Sequence, residues 1–141
     1  MIELTRQVEF SASHRLHNSA LDTERNLELF GICNNPHGHG HNYVLDVTLR
    51  GDVDPETGML LDLNRLCALL EEQIVRQLDH KHLNHDVEWL AGRVTTAENV
   101  AAAMWERLAP LLDGMLYRLR LYESRQNFVD YYGPAGAPVG R

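Results

Sequence analysis

The chain has 141 residues, a length that suits one domain with its own hydrophobic core. Hydrophobic residues make up 44% and charged residues 23%, as in ordinary globular proteins, and the net charge of −7 argues against a nucleic-acid or anionic-membrane surface. No apolar run could span a bilayer, no signal peptide is readable, and two cysteines make no disulfide framework, so we expect a cytoplasmic protein. We expect one domain over residues 1–133 and a disordered Gly/Pro/Ala-rich tail over 134–141.

Two strands are predicted in the first 51 residues. Every second residue of the first strand is apolar, except Arg6: Ile2, Leu4, Val8, Phe10 and Ala12. Residues 15–38 carry Asn, Gly and Pro and predict a long loop, which in a compact domain is usually functional. The alternation returns in a second strand at Tyr43, Leu45, Val47 and Leu49.

Two helices and two more strands are predicted in the second half. Asp62 can cap a helix with the apolar face Leu63, Leu66, Cys67, Leu70, Ile74 and Leu78. Thr95 and Glu98 fit a capping box before a helix with the apolar face Val100, Met104, Leu108 and Leu111. Tyr117, Leu119 and Leu121 indicate a third strand, and residues 128–132 a fourth. The order β-β-α-α-β-β predicts an α+β domain, an antiparallel sheet with two helices on one face.

Three of the eight histidines are in phase with these strands. His39 and His41 share the parity of the apolar residues in the second strand, and His14 continues the apolar parity of the first. If the strands pair antiparallel, the three imidazoles meet at one end of the sheet. Three neutral imidazoles with one open position are typical of a catalytic zinc site. The competing interpretation is loop histidines bonded to backbone, whereas a cupin site would need a carboxylate where Val44 and Leu45 stand.

Other polar residues are candidates for chemistry. Cys33, in the long loop, could act as a base beside a cation or be an inert packed thiol. Asp79 can orient the imidazole of His80, although the same segment also suits a helix C-terminus. Glu123 has the parity of the apolar residues in the third strand, so its carboxylate would point to the core side and could bind a guanidine-like edge through two hydrogen bonds. The alternative is that the strand has already ended and Glu123 is solvated. His37 lies on the loop side of Gly38.

These residues resemble the 6-pyruvoyl-tetrahydropterin synthase family, and the resemblance runs from about Val8 to Gly133. The matching segments, in order, are FSASHRLH (10–17), CNNPHGHGHNY (33–43), DPETGM (54–59), LDHK (78–81), ENVA (98–101) and YE (122–123). The resemblance implies the tunnelling fold, in which subunits join their sheets into a β-barrel and trimers stack into a homohexamer. It also implies a carbon–oxygen lyase that converts 7,8-dihydroneopterin triphosphate to 6-pyruvoyl-tetrahydropterin in tetrahydrobiopterin biosynthesis, with release of triphosphate.

The resemblance also assigns roles by position. It implies general-base chemistry at Cys33, a proton relay at Asp79 and His80 reaching in from a neighbouring subunit, and pterin binding at Glu123 and Thr96. The zinc ligands would be His14, His39 and His41. The chain departs from the family at His37, where the eukaryotic pattern has Asn, and at Ala97, which replaces a Thr of the pterin pocket. The residues that meet the triphosphate are not assigned.

Two alternatives stay open. The related 6-carboxy-tetrahydropterin synthases of queuosine biosynthesis use the same substrate and usually have a shorter spacing between the cysteine and the first ligand. Five residues separate Cys33 from His39, but Cys33-x-x-x-His37-Gly38-His39 also fits the shorter form. The second alternative is a non-catalytic zinc-binding protein of the same fold.

Overall fold

A five-stranded sheet forms one layer of the domain, and the computed structural model describes residues 1–136. Strand β1 (Ile2–His14) pairs antiparallel along its whole length with β2 (His39–Gly51). A two-residue strand, β3 (Lys81–His82), pairs with the other edge of β1. Beyond β2 lie β4 (Leu116–Tyr122) and then β5 (Phe128–Tyr131), both antiparallel to their neighbours, so the order is β3-β1-β2-β4-β5.

The sheet and the long loop differ from the sequence prediction. Strand β3 was not predicted, and it runs parallel to β1, so the sheet is mixed rather than wholly antiparallel. Residues 15–38 contain a helix, α1 (Thr23–Phe30), and a 3-10 turn (Gly31–Asn34) instead of an unbroken loop. Helix α1 was not predicted, because the Asn, Gly and Pro residues of this segment indicated a loop and most residues of the helix are exposed. Its start is fixed by the Asp22 carboxylate, which accepts from the Arg25 amide.

The two predicted helices are present. Helix α2 (Leu63–Leu70) begins at Asp62, whose carboxylate accepts from the Asn64 amide as expected of a cap. It continues directly into a π-helical turn (Glu71–Val75) and a last turn, α3 (Arg76–Leu78).

Helix α4 (Ala97–Leu108) begins one residue later than the predicted capping box requires. The Thr96 hydroxyl accepts from the Asn99 amide and makes the cap. Thr95 is instead buried, and its hydroxyl donates to the Asn84 side chain. The predicted cap at Thr95 was therefore wrong, because a tertiary hydrogen bond holds the hydroxyl that the capping pattern assigned to the helix.

The core lies between the helices and one face of the sheet. Two positions of the predicted apolar faces, Leu63 and Leu111, are exposed, and Leu112 is buried where Leu111 was expected. Burying each large apolar side chain contributes roughly 1.5–3 kcal/mol, so this face of the sheet is strongly specified. Its largest members include Tyr43, Leu45, Leu49, Leu66, Leu70, Ile74, Leu78, Met104 and Leu108.

The opposite face of the sheet is polar. Side chains on neighbouring strands pair there, including Thr5 with Thr48 and Gln7 with Asp46. The outer edge of β1 pairs with β3 only at Ala12 and Ser13, and no described strand covers the edge from residue 2 to 11. The domain therefore presents open sheet edges at β1 and at β5.

None of the helices within residues 1–136 has the length and apolar content needed to cross a bilayer. The last five residues of the predicted tail, 137–141, lie outside the described residues.

Candidate active site

The strand register brings three histidines together at one end of the sheet. His14 is paired with His39 across β1 and β2, and Ala12 is paired with His41. Because alternate residues share a face, all three imidazoles project to the side that carries the core. Each offers one ring nitrogen, and these three atoms lie within 4.8 Å of one another.

The hydrogen bonds of His14 leave one ring nitrogen free for a ligand. The side chain is fully buried, and its Nδ1 lies 2.7 Å from the carbonyl oxygen of Thr95, to which it donates. Its Nε2 is buried without a hydrogen-bond partner, and so is the Nε2 of His41. Buried polar atoms seldom remain unsatisfied, because each costs about 1–3 kcal/mol. Two such nitrogens aimed at one point fit a metal ion.

Burial favours the neutral form of two of these imidazoles, His14 and His41. Burial lowers the pKa of His14 to about 4. The hydrogen bond to the Thr95 carbonyl raises this pKa, whereas the nearby His39 and His41 lower it further. Burial also lowers the pKa of His41, although the Glu123 carboxylate opposes this. Neutral imidazole is the form that binds a metal. Both side chains are therefore ready for a cation near pH 7 without first losing a proton.

His37 does not belong to this cluster. Its side chain is exposed, and the one group of histidine, cysteine or acidic side chains that residues 1–136 bring to metal-binding distance is His14, His39 and His41. The chain turns at Gly38, with φ of +74°, before β2 begins at His39. The geometry therefore selects the longer spacing, with Cys33 six positions before His39.

Glu123 lies beside the cluster, one residue beyond the end of β4. Its Oε1 is 3.6 Å from Nε2 of His41, and its backbone N–H donates to the Asn127 carbonyl. The side chain is 29% exposed, so the carboxylate borders both the histidines and solvent. The strand has ended, yet the side chain still reaches the face that the alternation assigned to it.

Cys33 sits in the 3-10 turn that precedes the histidine strand. Its side chain is half-buried, and its carbonyl accepts from the Leu16 amide at 2.9 Å. The turn is thus tied to the chain just after His14. Cys67, which the sequence pattern places on the apolar face of its helix, is a half-buried thiol on α2.

The side chains of Asp79 and His80 are hydrogen-bonded to each other at the outer edge of β1. The Asp79 carboxylate contacts Nδ1 of His80 at 2.9 Å and accepts from the Ser11 amide at 2.8 Å. The hydrogen bond from the Ser11 amide lowers the pKa of Asp79 most, and the hydrogen bond with His80 lowers it further. His80 is 83% exposed. It borders a groove of about 550 Å³ that contacts Ser11, Ser13 and Asn42 of the polar face and is also lined by His41.

Thr96 and Ala97 mark the start of α4. The Thr96 hydroxyl accepts from the Asn99 amide and is half-buried, and Ala97 is buried. Two residues near His14 were not singled out from the sequence: the Thr95 carbonyl accepts from Nδ1 of His14, and the Asn84 side chain bonds to the Arg15 backbone. No local pattern could have revealed them, because one acts through a backbone carbonyl and the other through contacts distant in sequence.

Comparison with known proteins shows the family of the chain. The family model described as 6-pyruvoyl tetrahydropterin synthase matches residues 3–134. The chain belongs to that family. It is 48% identical over 132 residues to the human protein named 6-pyruvoyl tetrahydrobiopterin synthase, a match that covers 93% of this chain and 91% of the human one.

A solved structure of this family has the same fold. The Caenorhabditis elegans 6-pyruvoyl tetrahydropterin synthase superposes with a TM-score of 0.89 at 42% identity, covering 94% of this chain and 95% of that one. A more distant relative, the 6-carboxy-5,6,7,8-tetrahydropterin synthase of Rickettsia conorii, is 26% identical over 149 residues, covering 92% and 99%. The chain is thus more similar to these 6-pyruvoyl relatives than to the 6-carboxy relative.

Proposed function

We propose that this chain is a zinc-dependent 6-pyruvoyl-tetrahydropterin synthase. It converts 7,8-dihydroneopterin triphosphate to 6-pyruvoyl-tetrahydropterin and releases triphosphate. The observation that carries the proposal is the cluster of three imidazoles with two unpartnered Nε2 atoms, placed beside the carboxylate of Glu123. The 48% identity to a protein of that name supports the same reaction.

The metal would be held by His14, His39 and His41. Three neutral nitrogen ligands suit zinc and leave a coordination position for substrate. When bound, zinc supplies Lewis acidity toward the oxygen atoms of the substrate side chain and so acidifies the adjacent protons. Glu123 stands next to this position without belonging to the ligand group.

Glu123 would orient the pterin. The N3–H and 2-amino group of the ring form two parallel donors, which a carboxylate accepts bidentately. Its partial exposure leaves room for a planar ring at the mouth of the cluster. The segment around Thr96 would line the same pocket, and Ala97 removes one hydroxyl contact there.

Protons would be moved by the Cys33 thiol and by the hydrogen-bonded Asp79 and His80 side chains. Cys33, on the turn tied to the segment after His14, would remove a proton from the substrate side chain as general base. The Asp79–His80 pair would return protons, with the carboxylate orienting the imidazole. The redox change is internal to the substrate, so no nicotinamide or flavin is required. A free thiol needs a reducing compartment, so we place the reaction in the cytoplasm.

The Asp79–His80 pair would serve the site of a neighbouring subunit. His80 is 83% exposed and is not part of the three-imidazole group of its own chain, although His41 also borders its groove. The open edges of β1 and β5 are suited to pairing with other copies, which would close the sheets into a barrel. A homohexamer of stacked trimers would bring each exposed His80 to another subunit's cluster.

The alternatives differ in product and in turnover. The 6-carboxy-tetrahydropterin activity of queuosine biosynthesis is less favoured, because the relative of that name is 26% identical and His37 lies outside the cluster. A non-catalytic zinc protein would have no use for the Glu123 carboxylate beside the cluster or for the Cys33 thiol.

The proposal is tested by following triphosphate release. Zinc-loaded protein incubated with 7,8-dihydroneopterin triphosphate is expected to release inorganic triphosphate, and His41→Ala is expected to bind less zinc and release none. A wild-type protein that holds one zinc per chain and releases no triphosphate would overturn the proposal.

A further inference from the structure

We propose that Asn84 is a positioning residue for the metal ligand His14, acting through the backbone of Arg15 and through Thr95. The inference rests on the metal site proposed above. It concerns how the chain presents Nε2 of His14 to that site.

The side-chain amide of Asn84 makes two hydrogen bonds to the backbone of Arg15, the residue that follows the end of β1. Its Oδ1 accepts from the Arg15 amide at 2.9 Å, and its Nδ2 donates to the Arg15 carbonyl at 2.8 Å. The backbone of β3 pairs with β1 up to Ser13, and Leu83 donates to the Ser13 carbonyl. Asn84 therefore extends this pairing past His14 with its side chain, which fixes the backbone on both sides of the histidine.

The same amide holds the residue that orients the His14 ring. The Thr95 hydroxyl lies 3.2 Å from Oδ1 of Asn84 and 3.4 Å from the Arg15 carbonyl, and Thr95 is fully buried. The Thr95 carbonyl in turn accepts from Nδ1 of His14 at 2.7 Å. One asparagine thus connects the backbone next to the ring with the acceptor that holds the ring.

This arrangement fixes both the tautomer and the direction of His14. With the proton on Nδ1 and donated to Thr95, the lone pair of Nε2 is left free, and Nε2 is the buried nitrogen without a partner. Groups that orient a ligating histidine in this way typically contribute about 10- to 100-fold to metal affinity. Without Asn84, the Arg15 backbone and Thr95 lose their common partner, and the ring is no longer held against one acceptor.

The first experiment compares zinc affinity by competition with a chelator. Asn84→Ala is expected to weaken zinc binding by about 10-fold or more. Asn84→Asp keeps the acceptor for Arg15 and Thr95 but loses the donor, so its affinity should be intermediate. Asn26→Ala is the matched control, because within residues 1–136 the side chain of this buried asparagine bonds to residues 18–22 and not to the histidine cluster. It should lower the melting temperature of the metal-free protein and leave zinc affinity unchanged.

A second pair of variants keeps the test decisive if Asn84→Ala does not fold. Thr95→Val removes the hydroxyl with little change of shape and should weaken zinc binding, whereas Thr95→Ser should retain it. In metal-free protein, ¹⁵N spectra should show His14 protonated at Nδ1 in the wild type and a mixture of tautomers in Asn84→Asp and Thr95→Val. Zinc affinity within twofold of the wild type in these variants, with an unchanged His14 tautomer, would overturn the proposal. These readouts do not involve turnover, so they remain decisive even if the proposed reaction fails.

Discussion

The Oε1 atom of Glu123 lies 3.6 Å from Nε2 of His41, close enough to act on its charge and too far for a hydrogen bond. The carboxylate opposes the fall in the pKa of His41 that burial causes, and it does not join the three-imidazole group. The Glu123 carboxylate lies next to the proposed metal site without being one of its ligands, so it is available to accept hydrogen bonds from a substrate.

Replacing this carboxylate should separate substrate binding from metal binding. Glu123→Gln is expected to keep zinc and to lower kcat/KM about 10- to 100-fold, because hydrogen bonds to a charged group contribute about 1.5–3 kcal/mol. Glu72→Gln, a change at an exposed helix position, is the control and should behave as the wild type. Loss of zinc from Glu123→Gln would instead make Glu123 a metal ligand.

The two cysteines should respond differently to substitution. Cys33→Ala is expected to bind zinc normally and to lose turnover by about 100-fold or more, the usual contribution of a general base. Cys67→Ala, a substitution on α2, should retain both zinc binding and turnover. Zinc content and steady-state rates measured on the same preparations decide this, and a Cys33→Ala protein without metal would show that the thiol is a ligand.

Acid should destabilise the metal-free protein through its buried histidines. The pKa of His14 is about 4 in the folded chain against 6.5 for the free side chain, so the unfolded state takes up the proton first as the pH falls. The free energy of unfolding should therefore fall between pH 6.5 and about 4, by on the order of 3 kcal/mol if His14 acts alone. Urea denaturation at several pH values measures this. His14→Gln, which cannot titrate, should show a smaller slope, and an equal slope would contradict the assignment.

Gly38 should be more sensitive to alanine than a glycine of similar conformation. Gly38 and Gly58 have φ of +74° and +73°, so alanine is strained at both, but a Cβ at Gly38 would lie 2.8 Å from the His14 carbonyl and at Gly58 would meet nothing. Gly58→Ala should cost about 1 kcal/mol and leave zinc affinity intact. Gly38→Ala should cost more and also weaken zinc binding. Equal effects on zinc affinity would show that the contact with His14 does not matter.

The sequence predicted the features that repeat along the chain. Alternation predicted β1 and β2, and it placed His14, His39 and His41 on the core face because side chains of a strand alternate strictly. The Asp62 cap was also correct, since capping is a local interaction.

Features that depend on distant contacts could not be predicted. Strand β3 has two residues and exists only because β1 offers an edge there. Thr95 fits the local capping pattern, but it is buried and its hydroxyl donates to the side chain of Asn84, which is distant in sequence. Helix α1 is mostly exposed and is stabilised by the Asp22 cap and by the side-chain hydrogen bonds of buried Asn26, which the loop-like sequence did not reveal.

The most direct test of the account is the mass of the pterin product formed by zinc-loaded protein from 7,8-dihydroneopterin triphosphate without oxygen. We predict 6-pyruvoyl-tetrahydropterin together with free triphosphate. A 6-carboxy-tetrahydropterin product accompanied by acetaldehyde would contradict the proposed reaction and place the chain's activity with that of the 6-carboxy relatives.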